Sequence, residues 1–187
     1  MTPGIHPTAI IDPKARIGAD VEIGPYSIIG PDVEIGDGCW IQHHVTILGP
    51  TKIGKKNRFF AYGSIGQQSQ DLKYKAEPTY LEIGEDNTFR EFCTVNRATS
   101  PGEKTIVGSH NHFLAYCHLA HDCIVGNHCI FSNNGTLAGH VTVEDHVILG
   151  GLTAVHQFCR IGQHSFTGGC SKIVQDIPPF TTVDGNP

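Results

Sequence analysis

His118, His121, His140, His156 and Gln157 are the side chains of this 187-residue chain best placed to do chemistry. His121, Gly139 and Gln157 follow one another at a spacing of eighteen residues. His140 comes one residue after the second of these, His156 one before the third, and His118 three before the first. In a chain that climbs one layer every eighteen residues, all five would gather at one corner, within about 10 Å along the axis at about 4.8 Å per layer. A neutral imidazole near pH 7 is matched to general-base catalysis. Asp122 directly follows His121. A carboxylate there could hold one ring nitrogen protonated so that the other accepts a proton, or Asp122 could be an ordinary turn residue. Histidine is also a common zinc ligand. The remaining histidines, at positions 6, 43, 44, 110, 112, 128, 146 and 164, read as solvated turn residues.

The eighteen-residue layer follows from a six-residue repeat. Counting in sixes from Ile5 to Ile173 gives 29 positions, of which 25 are Ile, Leu, Val or Phe. The exceptions are Asp71, Glu77, Pro101 and Thr167. Twelve of the 22 glycines directly follow the apolar position. Glycine there suits a bend that needs positive φ or close backbone approach. Period six fits neither an amphipathic helix nor simple alternation. It predicts an all-β solenoid with three short strands and three turns per coil and the apolar series stacked inside. The length allows about ten coils, or roughly 45 Å of stack. Six of the seven cysteines (Cys39, Cys93, Cys117, Cys123, Cys129 and Cys159) occupy one slot, two residues before the apolar position. The same slot holds small residues at Ala9, Ala15, Ser27, Val33, Val45, Thr51, Ser165 and Ser171, so these read as reduced core filler rather than disulfides or metal ligands. Cys170 is out of register and reads as a surface thiol.

The register skips two hexads over residues 66–82. This predicts a loop thrown out at Gly66, at the corner phase of His156 and three coils below it. The loop carries Asp71 and Lys73, an acceptor and a cation suited to sugar hydroxyls and a phosphate, and long ordered loops are usually functional. A second excursion is expected over 96–105. Thirteen Lys and Arg stand against 18 Asp and Glu, a net charge of −5 with no basic run, so no nucleic-acid partner is expected. The chain shows no basic, apolar leader and no apolar run long enough to span a bilayer. Free thiols suit a reducing compartment, and a cytoplasmic protein is the default expectation.

The strings Gln70-Asp71-Leu72-Lys73-Tyr74, His118-Leu119-Ala120-His121-Asp122-Cys123, Ala138-Gly139-His140-Val141 and Ala154-Val155-His156-Gln157-Phe158 occur in this order. With them the chain resembles, over essentially its whole length, the UDP-N-acetylglucosamine O-acyltransferases of lipid A biosynthesis. The resemblance implies a left-handed parallel β-helix, a handedness that the period alone does not give. It implies a homotrimer in which the 3-hydroxyl of UDP-N-acetylglucosamine attacks an acyl thioester on acyl carrier protein, the first step of lipid A synthesis. His121 matches the family's general base, Asp122 the residue that orients it, and the Gly139 amide a donor to the thioester oxyanion. Asp71, Lys73, His118, His140, His156 and Gln157 match positions lining the substrate cleft, with Asp71 and Lys73 acting on a neighbouring subunit's histidines. Gly169 matches the gauge of acyl length. No cofactor, metal or covalent intermediate is implied. Residues 1–187 are expected to form one solenoid domain. The family's C-terminal helical domain, which supplies basic contacts to nucleotide and carrier, would lie beyond Pro187.

Related readings stay open at this point. The hexapeptide N-acyltransferase acting later in the same pathway carries an extra N-terminal domain, whereas hexads start here at residue 5. An acceptor with a 3-amino group would present the same column. A zinc hydrase on this solenoid, the γ-class carbonic anhydrase, needs two histidines five apart, and no pair here has that spacing. A non-catalytic trimeric scaffold is the reading from a different class, and turnover separates it from the enzyme.

Overall fold

A computed structural model describes residues 4–186 as 26 short strands in three wholly parallel sheets. The chain visits the sheets in rotation up to Lys172–Ile173, and the last strand then joins the third sheet directly, the second-sheet position being met only by the bridge Ile161↔Ile177. The first sheet has nine strands, from Ile10–Ile11 to Lys172–Ile173, and the second has eight, from Arg16–Ile17 to Arg160–Ile161. The third has nine, from Glu22–Ile23 to Thr182–Val183. Paired residues are eighteen apart, as in Ile29↔Ile47 and Leu137↔Val155. The last step is shorter, sixteen residues from Thr167 to Val183, and two steps are longer. Ile65 pairs with Val95 and Val95 with Leu119, so one excursion inserts twelve residues and the other six. Together they use one coil's length of chain.

Short strands suffice because every coil is hydrogen-bonded to the next. The amides of Ile28 and Gly30, for example, donate to the carbonyls of Val45 and Ile47, each at 2.8 Å. Inward positions stack identical or similar side chains. Phe59, Phe89 and Phe113 lie face to face at 5.0 and 4.7 Å, and Phe131 closes the row edge-on. All four are buried, each contributing roughly 1.5–3 kcal/mol by leaving water. Thr167, an exception to the apolar series, still fills its inward slot. It is buried and accepts the Gly150 amide at 3.0 Å. Asp71, Glu77 and Pro101 lie outside the strands.

The turns correct one expectation about glycine. Of the twelve glycines after the apolar position, only Gly66 has positive φ (72°). The left-handed position falls two residues later and is held by residues such as Asp20, Asp32, His128 and His164, types whose polar side chains tolerate it. What the glycines allow is close approach. A Cβ on Gly54 would lie 2.4 Å from the Gly84 carbonyl oxygen, and one on Gly108 2.4 Å from that of Gly126. On those coils the corner between the second and third sheets has no room for a side chain, although Glu144 holds the equivalent position higher in the stack.

The six in-register cysteines are buried and unpaired by disulfides, and Cys170 is exposed. Several thiols donate to carbonyls of the next coil, as Cys123 does to Ala138 at 3.1 Å. Burial pushes the Cys123 thiol up to about 12 and Cys129 to about 11. Thiolates react and thiols do not. A disulfide reagent is therefore expected to label one thiol of the native protein quickly, Cys170, and all seven only after denaturation. Fast native labelling of two or more would contradict the core assignment.

Candidate active site

Both excursions and the histidine column leave the solenoid at one corner, between the first and second sheets. The first excursion joins Ser64–Gln67 to Tyr80–Ile83 and the second joins Thr94–Asn96 to Lys104–Val107. The loops proper, 68–79 and 97–103, are narrower than the register gaps, because strand pairing continues into both ends of each. On the next three coils the corner is a tight turn, carrying His121, then Gly139 and His140, then His156 and Gln157. The strand pairs Ile65↔Val95, Val95↔Leu119, Leu119↔Leu137 and Leu137↔Val155 place Gly66 four coils below His156, not three. The ninety residues between them, less the eighteen inserted by the two excursions, make four coils.

His121 lies directly over Gly139. A Cβ on Gly139 would come within 2.4 Å of the ring's Cε1 and 2.6 Å of its Nε2. Nδ1 of His121 is 2.7 Å from Oδ2 of Asp122, and both side chains are nearly buried. An ionised carboxylate offers only lone pairs, so the neutral ring carries its proton on Nδ1 and leaves Nε2 as acceptor. Asp122 sits at φ 60°, its amide donating to Thr105 Oγ1 at 2.9 Å. Both of its carboxylate oxygens accept from the Thr99 amide, at 3.3 and 3.2 Å. The Gly139 carbonyl accepts from Phe158, while no backbone acceptor takes the Gly139 amide among the described residues.

The other column members are arranged around this pair. His140 meets His121 edge-on at 5.2 Å, stacks on Phe158 at 4.7 Å, and holds Nε2 3.7 Å from the Asp122 carboxylate. His118 is tied through Nδ1 to Thr94 Oγ1 at 2.7 Å. Burial pushes the His118 imidazole below its ordinary value, and a charge on nearby His121 would push the same way. His156 and Gln157 are exposed, the His156 ring lying 3.2 Å from the Gln157 carbonyl oxygen. His121, Asp122 and His140 hold donor atoms within 4.8 Å of one another, a spacing that could also receive a metal ion.

Three expected residues stand apart from the column within one chain. The Asp71 carboxylate caps its own turn, accepting the Lys73 amide at 2.8 Å, and Lys73 is exposed. Neither side chain bonds to the histidines among the described residues. Gly169 lies at the opposite edge of the first sheet, where a Cβ would meet only the Gly151 carbonyl oxygen, at 3.4 Å. The residues that sequence reasoning missed are those holding the pair in place: Thr94, Ser69, Thr99, Thr105 and Phe158. Thr94 and Phe158 were findable, since Phe158 is eighteen after His140 and Thr94 pairs with His118 once the insertion is counted. Ser69 and Thr99 lie in irregular loops with no register to read. The eighteen spacing also joins His110, His128, His146 and His164, which the reading by type left as separate turn residues. They form an exposed stack with ring centroids 4.9, 4.9 and 4.5 Å apart. Their rings lie nearly parallel, and among the described residues the converging group of possible ligands is instead His121, Asp122 and His140.

The family model described as the GMPPB C-terminal domain matches residues 5–112, the lower coils up to just before His118. The acyl-[acyl-carrier-protein]–UDP-N-acetylglucosamine O-acyltransferase of Xanthomonas euvesicatoria pv. vesicatoria is 56% identical over 183 residues, covering 97% of this chain and 70% of the relative. The protein of the same name from Halorhodospira halophila is 54% identical over 182 residues, again 97% of this chain and 70% of the relative. Among solved structures, LpxA from Acinetobacter baumannii superposes with a TM-score of 0.96 at 51% identity, covering 98% of this chain and 71% of that one. The UDP-N-acetylglucosamine acyltransferase of Campylobacter jejuni gives 0.93 at 42% identity, covering 98% and 72%.

Proposed function

The chain belongs to the acyl-[acyl-carrier-protein]–UDP-N-acetylglucosamine O-acyltransferase family, its lower coils also matching the GMPPB C-terminal domain family, and on that premise we propose how its own residues carry the reaction. Its fold is the family's left-handed parallel β-helix. It is an acyltransferase that moves an acyl chain from acyl carrier protein to the 3-position of UDP-N-acetylglucosamine, the first step of lipid A synthesis. The observation that carries the assignment of the chemistry is the His121–Asp122 pair, seated on Gly139 with no hydrogen bond to Nε2 among the described residues.

In this reading the 3-hydroxyl approaches His121 Nε2, which takes its proton as the oxygen attacks the thioester carbon. The Gly139 amide donates to the oxyanion that forms, in a setting where a preorganised donor is worth most. The C–S bond then breaks, the C–O bond remains, and the imidazolium returns its proton to the departing carrier thiol. Asp122 stabilises that imidazolium and fixes the ring's tautomer. His118, His140, His156 and Gln157 line the acceptor's side of the corner. Asp71 and Lys73 make no side-chain bond to their own column among the described residues, which fits a homotrimer in which they serve a neighbour's column. Six buried free thiols support a reducing, cytoplasmic setting. No helix of the described residues is long and apolar enough to cross a membrane.

The assignment is tested by incubating the purified protein with UDP-N-acetylglucosamine and carrier proteins bearing different acyl chains, then weighing the products. A sugar nucleotide heavier by one acyl group is the expected result, and its absence with every donor would overturn the reading. Gly139→Ala tests the seat of the base separately. The new methyl must displace the His121 ring, so turnover should fall by about tenfold or more, as sub-ångström to ångström misplacements do. The solenoid should melt within a few degrees of wild type, since a flexible side chain rather than backbone is displaced. Turnover within twofold of wild type would show that the ring does not need that seat.

A further inference from the structure

We propose that Ser69 and Thr99 are positioning residues for the His121–Asp122 pair, forming a hydroxyl splint between the 68–79 loop and the carboxylate that orients the base. The proposal rests on the acyl-transfer reading above. Its starting point is that Asp122 is held from outside its own turn. The Thr99 amide reaches both carboxylate oxygens, at 3.3 and 3.2 Å, while His121 Nδ1 uses one of them at 2.7 Å. Thr99 belongs to the irregular 97–103 loop, where no strand ladder fixes it. Its side chain does so. Thr99 Oγ1 lies 2.6 Å from Ser69 Oγ, and both residues are buried.

The splint continues on the other side. Ser69 Oγ accepts the Asp71 amide at 3.1 Å, at the turn where Asp71 caps Lys73. The two residues before Ala98 clamp the same loop. Asn96 Nδ2 donates to the Gln68 carbonyl at 2.8 Å. The buried Arg97 guanidinium donates to the Gly66 carbonyl and reaches the Tyr74 hydroxyl at 3.5 Å. A staple serving only the loop could end on any backbone group. This one ends on the carboxylate of the dyad. Outer partners that orient a reacting group's immediate partner are a recurring means of holding active-site geometry. Without the Ser69–Thr99 bond the Thr99 amide loses its anchor, the carboxylate is free to rotate, and His121 loses its orientation.

The test uses Thr99→Val, Ser69→Ala, their combination, and Thr99→Ser as the conservative rescue. Each single removal should lower kcat about tenfold with KM for UDP-N-acetylglucosamine within about twofold. The double variant should be no worse than the poorer single one, because both break the same bond. Thr99→Ser should restore kcat. Proton NMR gives a second readout that needs no substrate: the hydrogen-bonded Nδ1 proton of His121 should be seen in wild type and in Thr99→Ser and be broadened away in the two removal variants. Unchanged kcat and an unchanged proton signal, additive losses in the double variant, or an effect confined to KM would each overturn the splint. A wild-type protein that acylates no sugar nucleotide would overturn the reaction reading instead, and the NMR comparison would still decide the splint. If Thr99→Val does not fold, Ser69→Ala decides alone.

Discussion

His121→Ala is expected to lower kcat/KM for acyl transfer by about 10²- to 10⁴-fold, the range contributed by a positioned general base. The fold should be untouched. His121 is a turn residue whose backbone bond to the next coil, the His140 amide to the His121 carbonyl at 3.1 Å, does not depend on its side chain. The ring fills no core slot; it covers Gly139 and meets His140. Removal leaves Asp122 with the Thr99 amide and a closer approach for His140, whose Nε2 is 3.7 Å away in the intact site. His140 is a poor substitute because it is held in its stack on Phe158. Activity within a few-fold of wild type would remove His121 from the chemistry and return attention to His140. Measuring kcat and KM separately is essential, since a group acting only in the transition state lowers kcat with little change in KM.

Gly169→Met is expected to shift donor preference toward shorter acyl chains by roughly 10- to 100-fold, since each methylene accommodated or excluded by an apolar site is worth about 1–3 kcal/mol. The geometry makes this a test of length rather than of catalysis. Gly169 lies across the first sheet from the histidine corner, about five residues or 15–20 Å along the coil and about three coils above His121. That separation is on the scale of a long acyl chain. The outer face of the two intervening coils carries the small side chains of Thr136 and Ala154, and Gly169's own coil carries Lys172. A side chain at Gly169 has room, since its Cβ would meet only one carbonyl oxygen at 3.4 Å and its φ is not in the left-handed region. Stability should therefore change little while the selectivity profile across chain lengths moves. An unchanged profile would remove Gly169 from the gauge role.

Much of this was legible in the sequence because the solenoid converts spacing into proximity. Once Ile29, Ile47 and Ile65 are seen to stack, His121, Gly139 and Gln157 must stack as well, and Cys117, Cys123 and Cys129 must turn inward. The same arithmetic identifies the His110 to His164 stack, which reading residues by type alone passed over. Glycine misled in one respect. Its usual association with positive φ hid its use here, which is backbone contact between coils at positions such as Gly54 and Gly108. The support of Asp122 was not legible at all. Thr99 and Ser69 act from two excursions thirty residues apart, where chain length no longer maps onto height and a hydroxyl's partner depends on loop shape.

The central claim is that the acceptor sugar reacts at this corner with His121 as the proton acceptor. A structure of the protein with UDP-N-acetylglucosamine bound tests it most directly. The sugar's 3-hydroxyl is expected within about 2.6–3.2 Å of His121 Nε2, or one water away, with Nδ1 still on Asp122. A sugar bound away from the corner, or one that turns another hydroxyl toward His121 and leaves the 3-hydroxyl out of reach, would contradict the account.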